Sequence, residues 1–264
     1  MPRRLAEGEG VDGLESASIL LTASAILNAF TSATRSMTLS EISRASGLAK
    51  STVHRVAARL VDIGALDKRD DYYSIGMGMF ALGALSAEMT LREIAMPHLE
   101  ALHMRTGQTV HLAVLRGRSV IYLEKLRAPG AHRSPSAIGG DMPAHATAVG
   151  KVLLAAEPDT ALDLWFETRL AAVTPRTITD PRRLRTEVDT VRAQGFAVER
   201  EEAAVGLACI AAPIRVHGST VAALSVAFPA SSDESRVRDP LRATATNISR
   251  SVTEHCREGR LVID

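Results

Sequence analysis

Residues 38–75 leave the chain few ways to fold. Thr38-Leu39-Ser40-Glu41 is a capping box, in which the threonine side chain accepts from the backbone while the glutamate reaches back. It opens a short helix expected to bury Leu39, Ile42 and Ala45 and to halt at Gly47. A second helix starts at Lys50, with Val53, Val56, Ala57 and Leu60 spaced as one apolar face. Its other face carries Ser51, Thr52, His54, Arg55, Ala58 and Arg59. After Gly64 comes a hairpin pattern: Ala65-Leu66-Asp67-Lys68-Arg69, a polar turn, then Tyr72-Tyr73-Ser74-Ile75. A further helix precedes all of this, with Ile19, Leu20, Ala23, Ile26, Leu27 and Phe30 at helical spacing. Helix, capped helix, tight turn, helix and β-ribbon is the order of a winged helix-turn-helix.

Charge supports that reading locally but not globally. Lys plus Arg is 31 and Asp plus Glu is 30, so no overall field advertises nucleic acid or membrane. Residues 35–69 nevertheless carry seven basic side chains against three acidic ones, a local excess of +4. A solvated helix face would account for the charge alone, whereas the helix-turn-helix spacing adds a reason for phosphate contact. In that frame Arg55 is the base reader, because its planar fork can take guanine O6 and N7 together. Ser51, Thr52 and His54 can reach bases or phosphates, and Lys50 and Arg59 lie beside them for the backbone. Lys68 and Arg69 on the ribbon grip phosphate, which positions without specifying. The competing role for Arg55 is an ion pair with Asp62 or Glu41.

Beyond residue 75 the pattern changes. Residues 1–15 are Gly- and Glu-rich and read as a flexible tail, so 16–75 is the DNA-binding domain. Residues 76–90 form an expected linker and dimerisation helix, with Met77, Met79, Phe80, Leu82 and Leu85 and few charges. Leu91, Ile94, Ala95, Leu99 and Leu102 then mark an amphipathic helix stopped by Gly107. Strands follow at 109–114 and 119–123, then a loop at 135–143 and a helix at 145–156. Asp180-Pro181 starts another helix, ending at Gly195. Strands near 196–200, 207–215 and 220–227 and a last helix over 238–255 complete an α+β sensory-type domain spanning 91–264. Its few aromatic residues, 3% of the chain, favour a small aliphatic or keto acid over an aromatic ligand.

Several chemistries are excluded or disfavoured. Cys209 and Cys256 form neither a disulfide framework nor a zinc cage. No apolar run is long enough to span a bilayer, and none follows Met1-Pro2-Arg3-Arg4 as a signal peptide would require. A cytoplasmic protein without membrane contact is expected. Gly76-Met77-Gly78 makes no dinucleotide motif, and Gly150-Lys151 makes no P-loop. His98 and His103 lie about 140° apart around a helix, so together with His111 they are expected at the surface or an interface, not on a metal. No cofactor and no metal are expected.

Taken in order, these segments resemble the IclR-type bacterial transcriptional regulators. The resemblance spans residues 16–252. It rests on Leu39-Ser40-Glu41-Ile42, Gly47-Leu48-Ala49-Lys50-Ser51-Thr52-Val53-His54-Arg55 and Gly107-Gln108-Thr109-Val110-His111-Leu112. It continues through Ala148-Val149-Gly150-Lys151, Thr174-Pro175-Arg176-Thr177-Ile178-Thr179-Asp180, Gly195-Phe196-Ala197-Val198-Glu199 and Cys209-Ile210-Ala211-Ala212-Pro213. The family implies a winged helix-turn-helix, a linker helix and a GAF-like effector domain. It implies a dimer or a dimer of dimers on palindromic operator DNA, answering to small acidic metabolites and acting most often as a repressor. Carried over by motif position, the effector site comprises Ala146, Thr147, Ala148, Val149, Gly150, Glu199, Cys209 and Ser225. Small side chains at a helix start would expose backbone N–H groups to a carboxylate. Glu199 stands where the family more often has Asp, Ala227 where some members have Ser, and Arg215-Val216 where an aromatic–Asp pair is usual. Cys209 can equally be a small core residue and Ser225 a structural one. A different class of function, an enzyme with Cys209 as nucleophile beside an accessory DNA-binding-like domain, would need a basic partner for the thiol.

Overall fold

Thr38 makes the reciprocal pair that its place in the sequence dictates. In the computed structural model, which describes residues 19–31, 33–130, 134–166 and 170–263, the Thr38 N–H donates to Glu41 Oε2 at 2.7 Å and Glu41 N–H donates to Thr38 Oγ1 at 3.4 Å. The box starts the second of the helices in a unit that ends at Ser86. Its elements are α1 (Ile19–Asn28), β1 (Ser36–Thr38), α2 (Leu39–Ser46), α3 (Lys50–Asp62), β2 (Leu66–Arg69), β3 (Tyr72–Ile75) and α4 (Met77–Gly83). The strands form an antiparallel sheet in the order β1-β3-β2. Ile26, Ile42, Val53, Ala57, Leu60 and Leu66 make the centre of the core.

Three local expectations for this unit are corrected. Ala45 is exposed and Leu39 half-buried, because α2 is only eight residues long and turns a single residue, Ile42, fully inward. In α1 the buried pair is Thr22 and Ile26, while Ile19 and Leu20 stand in solvent. The helix expected over 76–90 is broken: α4 ends at Gly83, and residues 84–86 tighten into i→i+3 bonds, Leu85 N–H to Leu82 O and Ser86 N–H to Gly83 O. Gly83 weakens the helix interior at that point. Gly76 and Gly78 pack against the turn after α3, where a Cβ on Gly78 would lie 2.7 Å from the Gly64 carbonyl oxygen. Met77, Phe80, Leu82 and Leu85 are exposed.

The second unit begins at Ala87. It contains α5 (Ala87–Thr106), β4 (Thr109–Arg116), β5 (Ser119–Leu126), β6 (Asp141–Pro143), α6 (Ala148–Leu154), α7 (Asp159–Phe166), α8 (Pro181–Gln194), β7 (Ala197–Arg200), β8 (Leu207–Val216), β9 (Ser219–Pro229) and α9 (Ser235–Arg257). The sheet is antiparallel, in the order β6-β5-β4-β9-β8-β7. Alternation along the strands splits the core between the two faces. Leu91, Leu99, Leu112, Ile210, Leu224 and Ile248 pack α5 and α9 against one face. Val149, Leu153, Leu162, Trp165, Leu184 and Ala211 pack α6, α7 and α8 against the other.

Here too the reading from sequence is amended. The 135–143 loop holds β6, and the sequence reading contains no α7, whose eight residues make barely two turns and so give little period to detect. The helix expected from His145 starts at Ala148, after a single 3₁₀ turn at Ala144–Ala146. Thr147 interrupts it in extended conformation, φ −126° and ψ 145°, and caps α6 by accepting from the Gly150 N–H at 3.0 Å. The expected tail at residues 1–15 lies outside the described residues.

Candidate nucleic-acid interface and ligand cavity

Helix α3 separates its two faces as the spacing requires. Val53, Val56, Ala57 and Leu60 are buried, whereas Lys50, Ser51, His54, Arg55 and Arg59 are exposed and Thr52 is half-buried. The first turn of α3 carries no acidic residue. Glu41 is engaged by Thr38, and no ion pair joins Arg55 to Glu41 or Asp62 among the described residues. The competing structural role for Arg55 is therefore not formed. On the ribbon, Lys68 and Arg69 are exposed at the end of β2, and Lys68 Nζ stands 5.5 Å from the Tyr73 ring centroid. A helix with an exposed guanidinium beside a basic ribbon can place donors at base edges and at phosphates together.

A small cavity lies in the second unit between the sheet and the start of α6. The strands contribute His111, Tyr122, Glu199, Cys209 and Ser225, and the α6 side contributes Thr147, Ala148 and Val149. Met142, Ser134, Ala203 and Leu207 complete the wall. The free space is about 10 Å³, room for about one water. Six of the eight residues expected at an effector site are thus gathered here. Ala146 and Gly150 are not among the lining residues. Both are buried, and a Cβ on Gly150 would collide with the Ala144 carbonyl, so that glycine permits a close backbone crossing. Its N–H is already taken by Thr147, as is that of Lys151 by the Thr147 carbonyl.

Glu199 faces Cys209 across the β7–β8 ladder and is 1% exposed. Its Oε2 accepts from the Glu202 N–H at 2.9 Å, while Oε1 has no hydrogen-bond partner among the described residues. Burial pushes its pKa up to about 7, against the pull of the Glu202 N–H, which favours the charged form. Burial and the neighbouring Glu199 carboxylate push the Cys209 thiol well above its usual range. That is the opposite of what a nucleophilic cysteine needs.

His111 corrects the expectation of a surface histidine. It is 3% exposed, with Nε2 2.9 Å from Ser136 Oγ and Nδ1 3.4 Å from Ser225 Oγ. Burial, helped by the positive charge of Lys125, holds its pKa down to about 3, so the ring is neutral. His98 is half-buried at 3.3 Å from Ser251 Oγ, and His103 bonds the Gln108 carbonyl at 2.7 Å. Among the described residues no three His, Cys, Asp or Glu side chains could share a metal ion, and no helix is long and apolar enough to cross a membrane.

His111 and Tyr122 were the wall residues most open to discovery, since both sit in alternating strands. The missing signal was strand pairing, which sets His111 opposite Ser225. A second feature hidden in the sequence lies behind the cavity. Lys151 is buried, and its ammonium meets Glu202 of the turn after β7 at 2.5 Å and Glu187 of α8 at 3.2 Å. Thr174 and Thr177 donate to the Glu201 and Glu202 carbonyls at 2.6 and 2.8 Å, so the 174–180 segment clamps the turn that feeds Glu199.

Comparison with known proteins adds a lineage to this geometry. Residues 21–70 match the family model described as the IclR helix-turn-helix domain, and residues 83–250 match the model described as the C-terminal region of the bacterial transcriptional regulator IclR. The chain is similar to the HTH-type transcriptional regulator XynR of Escherichia coli (strain K12), at 35% identity over 210 residues, 76% of this chain and 82% of that one. It is also similar to the DNA-binding transcriptional repressor YiaJ of the same strain, at 33% identity, covering 80% and 79%. Among solved structures, an IclR homolog from Microbacterium hydrocarbonoxydans complexed with 4-hydroxybenzoate superposes with a TM-score of 0.84 at 30% identity, covering 90% of this chain and 100% of that one. The IclR of Thermotoga maritima gives a TM-score of 0.69 at 30% identity, covering 89% and 98%.

Proposed function

The chain belongs to the IclR family of bacterial transcriptional regulators, and from that premise we propose that it is a repressor whose hold on operator DNA answers to a small carboxylic acid. As a transcriptional regulator it is not an enzyme, and the raised Cys209 thiol fits that. The DNA half of the reading is carried by Arg55, exposed on α3 and in no ion pair among the described residues, with Lys50, Ser51, Thr52, His54 and Arg59 around it and Lys68 and Arg69 on the ribbon. Arg55 reads a base, and the ribbon cations fix register on phosphates.

The effector half is carried by the cavity. Thr147, Ala148, Val149, Glu199, Cys209 and Ser225 converge on it, joined by His111 and Tyr122. A ligand there shifts the population between operator-competent and incompetent forms, and a coupling of about 1–3 kcal/mol suffices for switching. The covalent route runs through residues 77–90. The exposed apolar residues of that stretch, Met77, Phe80, Leu82 and Leu85, support assembly as a homodimer or a dimer of dimers. Two-fold assembly matches a palindromic operator. The protein works in the cytoplasm, where its DNA is.

The test is fluorescence anisotropy on the DNA upstream of its own gene, at physiological salt with excess competitor. Specific binding at a Kd of about 10⁻⁸ M or tighter, released by one of a panel of carboxylic acids, is the expected result. Binding that competitor DNA abolishes, with no acid changing it, overturns the proposal.

A further inference from the structure

Among the described residues the cavity lacks the counter-ion that a carboxylate site normally has. Its polar lining among the described residues is His111, Tyr122, Ser134, Thr147, Glu199, Cys209 and Ser225, with neither lysine nor arginine. The nearby cations are engaged elsewhere. Lys151 of α6 is turned to Glu202 and Glu187, and Lys125 of β5 donates to the Ser136 carbonyl at 2.6 Å. His111 of β4 is neutral, with one ring nitrogen on Ser136 and the other on Ser225. Facing Glu199 from the remaining elements are the Cys209 thiol of β8, the Tyr122 phenol of β5, Glu202 and Ala203 of the following turn, and Thr147 at the start of α6. Tyr122 is itself buried, with its hydroxyl toward the Met142 sulfur at 3.8 Å.

Into this uncharged wall the chain aims a carboxylate oxygen. Glu199 Oε1 is buried and has no hydrogen-bond partner among the described residues, whereas Oε2 is held by the Glu202 N–H. An anionic ligand would therefore meet a second carboxylate with no cation between them among the described residues. Two like charges in a buried site cannot both persist, so one of them must take a proton. We infer that the cavity takes its ligand as a carboxylate together with one proton from solvent, held on Glu199 and donated in a hydrogen bond to the ligand carboxylate. The inference rests on reading this cavity as the effector site. Burial has already brought Glu199 to a pKa of about 7, so the proton is gained at little cost near neutrality.

Isothermal titration calorimetry on the full chain tests this, with pyruvate, glyoxylate and 4-hydroxybenzoate as probes in phosphate and in Tris, whose ionisation heats differ. With a free pKa of about 7, roughly 0.9 proton is taken up per acid bound at pH 8 and about 0.1 at pH 6. Affinity falls about tenfold over the same interval. Glu199→Gln keeps an acceptor for the Glu202 N–H and a permanent donor for the ligand, so it binds equally at both pH values without proton exchange. Wild-type binding of an acid with no proton uptake overturns the inference, as does an undiminished pH dependence in Glu199→Gln. The wild-type proton count decides the matter even if the variant fails to fold. If none of the acids binds, while 4-hydroxybenzamide does, the carboxylate reading of the site falls and this inference with it, a result distinct from binding without a proton.

Discussion

Lys151 Nζ lies 2.5 Å from Glu202 Oε1 and 3.2 Å from Glu187 Oε1, with 1% of the lysine side chain exposed. One buried ammonium thus ties three pieces of chain: α6, α8 and the turn between β7 and β8. Glu202 also accepts at Oε2 from the Ile178 N–H at 3.4 Å and donates its own N–H to Glu199. The tie therefore ends at the cavity wall.

Removing one member of a buried pair strands the other in a poor dielectric. Lys151→Met is expected to lower unfolding stability by about 3–5 kcal/mol, read from urea titration with an unchanged m-value. Adding Glu202→Gln to it should restore part of the loss, because the uncompensated charge is gone. A double variant as unstable as the sum of the two singles would show that the pair is not coupled.

Gly150 leaves no room for a side chain. A Cβ there would sit on the Ala144 carbonyl, and the atoms it meets are backbone, not the far end of a flexible side chain. Gly150→Ala is expected to cost at least about 1–3 kcal/mol by overpacking. It also displaces Thr147, Ala148 and Val149, which line the cavity. Any ligand that raises the melting temperature of the wild type should do so less in this variant. An alanine variant as stable as the wild type, with an equal ligand shift, would count against the crossing as drawn.

How far the sequence could be read depended on how much period each element offered. Helix α3 has thirteen residues and one apolar stripe, so its buried and exposed faces were both legible, Arg55 included. Strands β1 and β6 have three residues each, too few for alternation to show. Ala45 misled because an apolar residue at helical spacing is buried only where a neighbour covers it. The effector wall was legible only in part for a related reason. Glu199, Cys209 and Ser225 came from motif position, but His111 joins them through the pairing of β4 with β9, which sequence spacing does not encode. Lys151 stands in a Gly-Lys pair that makes no P-loop, and its partners are 36 and 51 residues away.

The α3 and ribbon cations should behave differently when removed. Arg55→Ala is expected to weaken binding to the cognate site by about 1–3 kcal/mol and to flatten preference at one base pair. Arg69→Ala should weaken all DNA about equally and reduce the slope of log affinity against log salt by about one. Anisotropy over a salt series, with operator variants at each position, separates the two. An Arg55→Ala protein with an intact preference profile would remove Arg55 from the base-reading role.

His111 and Glu199 should impose opposite pH trends on folding. The folded state holds His111 at a pKa of about 3 against 6.5 for the free side chain. The unfolded chain therefore binds the proton first, and stability is lost as pH falls from 6.5 towards 3, by roughly 4–5 kcal/mol over the whole interval. Glu199 is raised from 4.5 to about 7, so its contribution is fully present below 4.5 and is lost as pH rises through 7, by about 3 kcal/mol. Between pH 4.5 and 6.5 the two slopes largely cancel in the wild type. His111→Gln removes the first slope alone, so its stability relative to wild type should rise as the solution is acidified through that window. Urea unfolding of both proteins at several pH values measures the difference, in which the remaining carboxylates drop out. A difference that stays constant with pH would mean that the folded protein protonates His111 as readily as the unfolded chain does.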